Sequence, residues 1–208
     1  VLALAREMRK EYRLIHERGL ILQVDCPDLA MERARFFQHD SLDHFVQMVD
    51  LHVRAINQAT AGIPADRLRL HLCWGNYDGP HTHDVPLEAV LPVVLKARVG
   101  ALSLPLANPR HQHEYRVLKH HRLPEGMLLL PGVIDTTTNY VEHPEVVADR
   151  ILAAVDAVGD RTRVIASTDC GFGTFAGFEM VAHSGVWAKL ATPPEGGAAV
   201  LRLLGEEL

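Results

Sequence analysis

Three residues of this chain have the side-chain types and the spacing of a zinc site. His71 and Cys73 lie two apart in a short apolar segment, and Cys170 follows another such segment. Because side chains two apart on an extended strand point to the same side, an imidazole and a thiolate can reach one ion there. Two sulfurs and one nitrogen suit the tetrahedral coordination of Zn2+, and three protein ligands leave one position open for substrate. The pattern predicts a catalytic zinc site, although a buried cysteine taken alone is more often an inert small hydrophobe.

The loop that follows Cys73 is a second candidate feature. Its sequence, WGNYDGPHTHD, is rich in glycine and histidine and offers His81 and His83 as proton donors. Loops at strand ends often carry binding residues, so this one either covers the site or is a solvated segment without a role. Cys26, after the first predicted strand, is either a fourth zinc ligand or, as is commoner for such a cysteine, a packed side chain.

Asn108 and Arg110 are candidate substrate-binding residues. A forked guanidinium has the shape to bind a carboxylate or a sulfonate through two hydrogen bonds. The alternative role is structural, because Arg110 can also pair with Glu114 one turn along the next predicted helix, and this role is slightly favoured. The histidines of that helix are expected at the surface: His111, His113, His120 and His121.

The composition is that of a globular protein without a surface for a polyanion. The chain has 208 residues, 48% of them hydrophobic, and a net charge of -5. No basic stripe occurs, so a nucleic-acid partner is not expected. The apolar stretches are far shorter than the roughly 20 residues that cross a bilayer, so a membrane partner is not expected either. The first residues lack a signal-peptide pattern and three cysteines suit no disulfide framework, which together predict a cytoplasmic protein.

Five short segments rich in apolar and β-branched residues alternate with segments of helical spacing, which is typical of parallel βα units. The predicted strands are Leu20–Asp25, Leu68–Trp74, Ala101–Ala107, Met127–Asp135 and Arg163–Asp169. The predicted helices are Leu2–Arg18, one capped by Ser41, three from Pro86, His111 and Pro144, and a last one from Phe178 that is interrupted by a loop at Thr192–Gly197.

The position of the polar residues favours a barrel over an open doubly wound sheet. They gather at or just after the predicted C-terminal ends of the strands, where barrel enzymes keep their active sites. We therefore predict an α/β fold of the TIM (βα)8-barrel type, with about five βα units in a single domain, 1–208. Five strands are too few to close such a barrel, so we expect about three N-terminal units, or an oligomeric partner, to be missing.

Four motifs carry a resemblance to a known family. In order and spacing, HLCWGN, SLPLANPRHQHE, GVIDTTTNYVEHPE and STDCGFGTF resemble the C-terminal barrel of cobalamin-independent methionine synthase and its relatives, over nearly the whole chain from Leu22. The nearest branch is that of the epoxyalkane:coenzyme M transferase-like proteins. The resemblance implies Zn2+ on His71, Cys73 and Cys170, and a substrate-contacting acid at Asp25.

Two departures from that family alter the expected chemistry. Pro105 stands where methionine synthases have a zinc-binding glutamate, and Thr137 stands where they have the histidine that acts as the proton donor. Without the glutamate, the formal charge of the site is about zero instead of about minus one, so the metal is a stronger Lewis acid. Such a site suits a reactive alkyl donor, with Asp135 and His81 as the predicted catalytic residues.

These features predict an enzyme that alkylates a small-molecule thiol. The resemblance implies methyl transfer from a methyltetrahydropteroyl donor to homocysteine, which is a step of methionine biosynthesis. The alternative within enzymes is the opening of an epoxide by coenzyme M or a similar thiol. Two other classes stay open, namely a non-catalytic zinc-binding paralogue and an open-sheet binding module.

Overall fold

A computed structural model describes residues 1–203, and its sheet has five strands in the order β1-β2-β3-β4-β5. The pairing is parallel from β1 to β3 and between β4 and β5. A doubly wound sheet reverses its strand order at a switch point, whereas neighbouring strands in a barrel follow chain order. The order observed here is therefore that of a barrel segment. The strands are β1 Leu22–Cys26, β2 Leu68–Leu72, β3 Ala101–Leu104, β4 Leu128–Ile134 and β5 Ser167–Thr168.

Helices separate the strands, as the sequence predicts. The second predicted helix begins after Ser41, whose hydroxyl accepts a hydrogen bond from the backbone N–H of His44 at 3.1 Å, so the N-cap is confirmed. None of the described helices is both long and apolar enough to span a bilayer. The α-helices are α1 Leu2–Glu17, α2 Met31–Arg35, α3 Leu42–Ala59, α4 Leu87–Val94, α5 Pro144–Val158 and α6 His183–Leu203. Short 3-10 helices cover Pro27–Leu29, Ala65–Arg67, Glu114–Lys119 and Arg161–Arg163.

The chain divides into two compact units, and the division passes through β3 and β4. The first unit comprises residues 1–75, 81–103 and 123–128, and in it α1 and α3 pack through Ala5, Ala55 and Ala59. The second comprises residues 76–80, 104–122 and 129 onward. Its core joins Val133, Ile134 and Val147, while Ala148, Ala199 and Val200 join α5 to α6. The single-domain assignment stays a prediction.

Two of the predicted strands are much shorter than expected, with four and two residues. β3 stops at Leu104 because Pro105 has no N–H to donate to a neighbouring strand. β5 is limited to Ser167–Thr168, since Arg161–Arg163 forms a 3-10 helix instead of a strand.

Two expectations about helices were wrong. The segment from His111 is a turn followed by a 3-10 helix. His111 is buried instead of exposed, and its Nδ1 lies 2.7 Å from Oε2 of Glu114. The expected loop at Thr192–Gly197 is part of α6. A Cβ on Gly196 would lie 2.6 Å from Cγ1 of Val147, so the glycine permits a close approach of α6 to α5. Packing of this kind overrides low helix propensity.

Gly132 in β4 is required by the close approach of Asp169. A Cβ at this position would lie 1.9 Å from Oδ1 and 2.9 Å from Cα of Asp169. Gly132→Ala should therefore lower the free energy of unfolding by about 2 to 3 kcal/mol, the upper range for overpacking, as measured by urea denaturation. Gly173→Ala is the matched control, because nothing lies within 4 Å of a Cβ there. Equal stability of the two variants would contradict this account.

Candidate zinc and thiol site

Three polar side chains lie in one row across the first unit. Asp25 of β1 is in register with His71 of β2, and His71 is in register with Ser103 of β3. Residues in register on neighbouring strands point to the same face of the sheet. Asp25 is exposed on that face, whereas His71 and Ser103 are buried. The predicted substrate-contacting acid and the first predicted zinc ligand are therefore neighbours.

The imidazole of His71 has one nitrogen engaged and one available. Nδ1 lies 3.0 Å from the hydroxyl oxygen of Ser103. Nε2 is buried and has no hydrogen-bond partner among the described residues. We assign the proton to Nδ1, which donates to Ser103 and leaves the lone pair on Nε2. A ligating histidine has this arrangement, because its other ring N–H is held by a hydrogen bond.

Cys73 follows the end of β2 and is buried. Its Sγ accepts a hydrogen bond from the backbone N–H of Gly75 at 3.2 Å. Gly75 has φ of 100°, a conformation that glycine adopts without strain. A backbone N–H directed at sulfur stabilises the thiolate, which is the form that binds a metal.

Cys26 does not share the face of His71. Leu22, Val24 and Cys26 are the buried residues of β1, while Asp25 points the other way. Burial raises the pKa of the Cys26 thiol, and the negative charges of Asp28 and Asp25 raise it further. A protonated thiol on the opposite face is not suited to complete the zinc site. The packed alternative for Cys26 is the one that the geometry favours.

The loop after Cys73 holds a histidine and a carboxylate together. Nδ1 of His81 lies 3.2 Å from both carboxylate oxygens of Asp84, and the His81 side chain is only 1% exposed. His81 has φ of 42°, an uncommon conformation for a residue other than glycine. The indole N–H of Trp74 donates to the carbonyl of Val85 at 2.7 Å, which ties the end of the loop to its start. The loop is therefore ordered around His81, whose role as proton donor stays a prediction.

The second unit is organised around the carboxylate of Asp169. Oδ1 accepts the N–H of Ala107 at 2.7 Å, and Oδ2 accepts the backbone N–H and the side-chain amide of Asn108 at 2.9 and 3.0 Å. Burial raises the pKa of Asp169 to about 6, against the lowering effect of these hydrogen bonds. The carbonyl of the Asn108 side chain accepts the N–H groups of Arg110 and His111. The side chain of Asn108 is thus engaged within the protein, which favours its structural role.

The two peptide groups that follow the Cα of Cys170 are anchored by hydrogen bonds. The carbonyl of Cys170 accepts a hydrogen bond from the Thr168 hydroxyl at 2.8 Å. The carbonyl of Gly171 accepts from the side-chain amide of Asn76 at 2.7 Å, and Asn76 Oδ1 accepts from the hydroxyl of Thr136 at 2.7 Å. These bonds hold the backbone that follows the sulfur-bearing residue. Cys170 itself is half-buried.

Asp135 lies directly after β4 and is mostly buried. Its Oδ1 accepts the backbone N–H and the hydroxyl of Thr137, both at 2.8 Å, and Oδ2 lies 3.5 Å from the hydroxyl of Thr138. Thr137 therefore orients the carboxylate of Asp135. The catalytic role of Asp135 stays a prediction.

Sequence reasoning missed three residues that position the candidate ligands and the loop. Ser103 orients His71, Asn76 holds the backbone after Cys170, and Asp84 holds His81. The sequence contained a signal for Ser103, because it is the polar residue of the otherwise apolar strand β3. Nothing in the sequence pairs Asn76 with Gly171, since the contact joins residues 95 apart.

The comparisons with known proteins agree with the motifs. Among curated proteins, the chain is 26% identical over 162 residues to 2-hydroxypropyl-CoM lyase of Xanthobacter autotrophicus strain Py2, covering 65% of this chain and 43% of that protein. Among solved structures, it is similar to a B12-independent methionine synthase from Shewanella sp. W3-18-1 in complex with selenomethionine, with a TM-score of 0.71 and 21% identity. The expected family resemblance is confirmed. No protein-family model matches the chain.

The structural match also confirms the fold. It covers 98% of this chain and 55% of the methionine synthase chain, so the five βα units correspond to part of a TIM barrel. Both matched proteins are enzymes by name. The chain spans about half the length of these relatives, and for that reason the activity of a whole relative is not assigned to it.

The acidic segment after β1 predicts how the thermal stability of the protein depends on pH. Desolvation raises the pKa of Glu32 to about 7 from its usual 4.5, and the hydrogen bond and charge of Asp28 act in the same direction. A raised pKa in the folded state means that the stabilising contribution is complete below the unfolded pKa and is lost as pH rises towards 7. Glu32→Gln should therefore melt higher than wild type at about pH 8 and equally near pH 4.5.

The measurement is a series of thermal melts across that pH range. Glu11→Gln, on the exposed surface of α1, serves as the control and should not change the pH profile. A difference between Glu32→Gln and wild type that does not vary with pH would contradict the assignment.

Proposed function

We propose that this protein is a zinc-dependent transferase that alkylates a thiol, with Zn2+ bound by His71, Cys73 and Cys170. The observation that carries the proposal is Nε2 of His71, a buried nitrogen without a hydrogen-bond partner among the described residues. A buried polar atom without a partner is costly, so a ligand at Nε2 of His71 would remove that cost. A metal ion is the ligand that the neighbouring cysteine favours.

The donor set fits zinc. His71 and Cys73 belong to the first unit and Cys170 to the second, and the proposal joins the three at one ion. Thiolate sulfur and imidazole nitrogen are typical zinc ligands, and Pro105 offers no fourth. Three protein ligands leave one coordination position for a substrate sulfur. When bound, Zn2+ would lower the pKa of a substrate thiol and hold it as the thiolate at neutral pH.

The residues of the chain have separate parts in this proposal. Ser103 holds the His71 ring in the orientation and tautomer that a ligand needs, and Gly75 stabilises Cys73 as the thiolate. Asp25, exposed on the same face as His71, contacts the substrate. His81, held by Asp84, supplies or accepts the proton that the reaction moves.

The names of the two relatives each contain a compound of the same chemical class. Methionine and 2-hydroxypropyl-CoM are both thioethers, and each is made by attack of a thiol sulfur on an alkyl carbon. By resemblance, we propose methyl transfer to homocysteine as the first candidate reaction. Opening of an epoxide by coenzyme M is the second, favoured by the relative from Xanthobacter and by Thr137 in place of the family's acid.

We also propose that further βα units complete the barrel. Among the described residues, β1 pairs along one edge only, with β2. The units come either from additional polypeptide or from a second copy of the chain, and substrates are small molecules in both cases.

Cysteine variants test the proposal. The full chain should bind one Zn2+, and Cys73→Ala or Cys170→Ala should weaken that binding by at least about 100-fold through loss of a ligand. Cys26→Ala is the matched control, a buried cysteine on the other face of β1, and it should keep the metal. Zinc competition with a chromophoric chelator measures all three.

The same proteins are then assayed with homocysteine and coenzyme M as thiols, and with a methyl donor and an epoxide as electrophiles. If one pair of thiol and electrophile gives a product with wild type and none with Cys73→Ala, that result supports the corresponding reaction. Zinc binding without product, together with a Co2+-substituted spectrum that does not change when thiol is added, would identify a non-catalytic zinc protein. Equal zinc content in all cysteine variants would overturn the site.

Ser103→Ala removes the partner of His71 Nδ1 and should lower zinc affinity by about 10- to 100-fold, the usual effect of losing a residue that orients a ligand. Thr60→Val is the control, because it deletes a buried hydroxyl that donates to the carbonyl of Ile56 in the same unit. The expected result is normal affinity in Thr60→Val. Affinity that is unaffected by Ser103→Ala would argue against Nε2 as the ligand atom.

A further inference from the structure

The side chain of Lys189 in α6 is 0% exposed. Its ammonium nitrogen lies 2.9 Å from Oε2 of Glu142, which is itself mostly buried. Desolvating both charges costs several kcal/mol per ion, and apolar residues of equal volume are often at least as stabilising. A pair of this kind is therefore poorly explained by stability alone. The hydrogen bond that Glu142 accepts from the backbone explains the pair better.

The second oxygen of Glu142 binds the backbone at the end of β4. Oε1 accepts the N–H of Asp135 at 2.9 Å. Nη1 of Arg150 lies 3.8 Å from the same oxygen and donates to the carbonyl of Val133 at 2.7 Å. One ion network, drawn from α5, α6 and the segment between β4 and α5, thus fixes both a carbonyl and an N–H within residues 133–135.

This anchoring acts on the carboxylate of Asp135. The turn that begins at Asp135 brings the N–H and hydroxyl of Thr137 to Oδ1. The direction of the Asp135 side chain depends on the position of its own backbone, and Glu142 holds that backbone by its N–H. Lys189 in turn holds Glu142 through the other carboxylate oxygen, Oε2.

We propose that Lys189 is a positioning residue for Asp135, acting through Glu142. The inference rests on the proposed function for the part that Asp135 takes in alkyl transfer. Lys189 keeps the Glu142 carboxylate directed at the Asp135 amide, so that α6 sets the geometry of an acid 54 residues earlier in the chain.

Amide hydrogen exchange, followed by NMR on the full chain, tests the positioning role without any assay of activity. In Lys189→Met, the amides of Asp135 and Thr137 should exchange at least about tenfold faster, while amides in the middle of β4 should keep their protection. Lys119→Met is the matched control, since Lys119 also pairs with a carboxylate, that of the exposed Asp156. It should leave both amides unchanged.

A buried Glu142 without Lys189 can prevent folding, so the double variant Lys189→Met/Glu142→Gln is measured beside the single one. It has no unpaired buried carboxylate, and it should also show faster exchange at Asp135 and Thr137. Wild-type exchange at both amides in a folded variant would overturn the proposal.

The kinetic test is a separate readout. Lys189→Met should lower kcat by about 10- to 100-fold, as expected when a reacting group is misplaced by about 1 Å, while the KM for thiol and the zinc content stay those of wild type. If Lys189→Met has a normal kcat but faster amide exchange at Asp135 and Thr137, Lys189 positions the backbone without an effect on catalysis. Absence of alkyl transfer in wild type would instead defeat the proposed function, and the exchange result would still decide the role of Lys189.

Discussion

A buried polar atom must have a partner, and this constraint explains the candidate site better than any other single interaction. In the first unit it bears most on the imidazole of His71, because the ring nitrogens of His16 and His52 also have no hydrogen-bond partner among the described residues but belong to half-buried residues. Ser103 satisfies Nδ1 of His71, while Nε2 is left for a ligand outside the described residues. The strand pairing that sets His71 between Asp25 and Ser103 therefore creates a nitrogen that is suited to bind metal.

The same constraint shapes the second unit. The carboxylate of Asp169 is buried and accepts three N–H bonds, which fix the segment after β3. This places Asp169 so close to β4 that only glycine fits at position 132. Cys170 follows immediately, and hydrogen bonds hold the two peptide groups that come after its Cα. The sulfur is thus carried by a backbone that has little freedom to move.

The proposed chemistry depends on how few negative charges surround the metal. In the proposed site, two thiolates and a neutral imidazole would balance the charge of Zn2+, whereas the glutamate that the resemblance implies in methionine synthases would add one negative charge. Pro105 removes that carboxylate, and its missing N–H also ends β3. A substrate thiolate on a more electrophilic metal forms readily but is a weaker nucleophile. A reactive electrophile such as an epoxide compensates for this, which agrees with the relative that acts on 2-hydroxypropyl-CoM.

Local sequence determined the elements and the identity of the candidate ligands. Alternation of apolar segments predicted all five strands, Ser41 predicted a helix start, and HLC with DCG predicted the zinc chemistry. Tertiary structure alone decided which faces and atoms are available. The opposite faces of Asp25 and Cys26, the burial of His111, the helix through Thr192–Gly197 and the Lys189–Glu142 pair all depend on contacts between distant residues. Hydrogen bonds and close packing across such separations leave no periodic trace in the sequence, because each involves one residue from each of two unrelated segments.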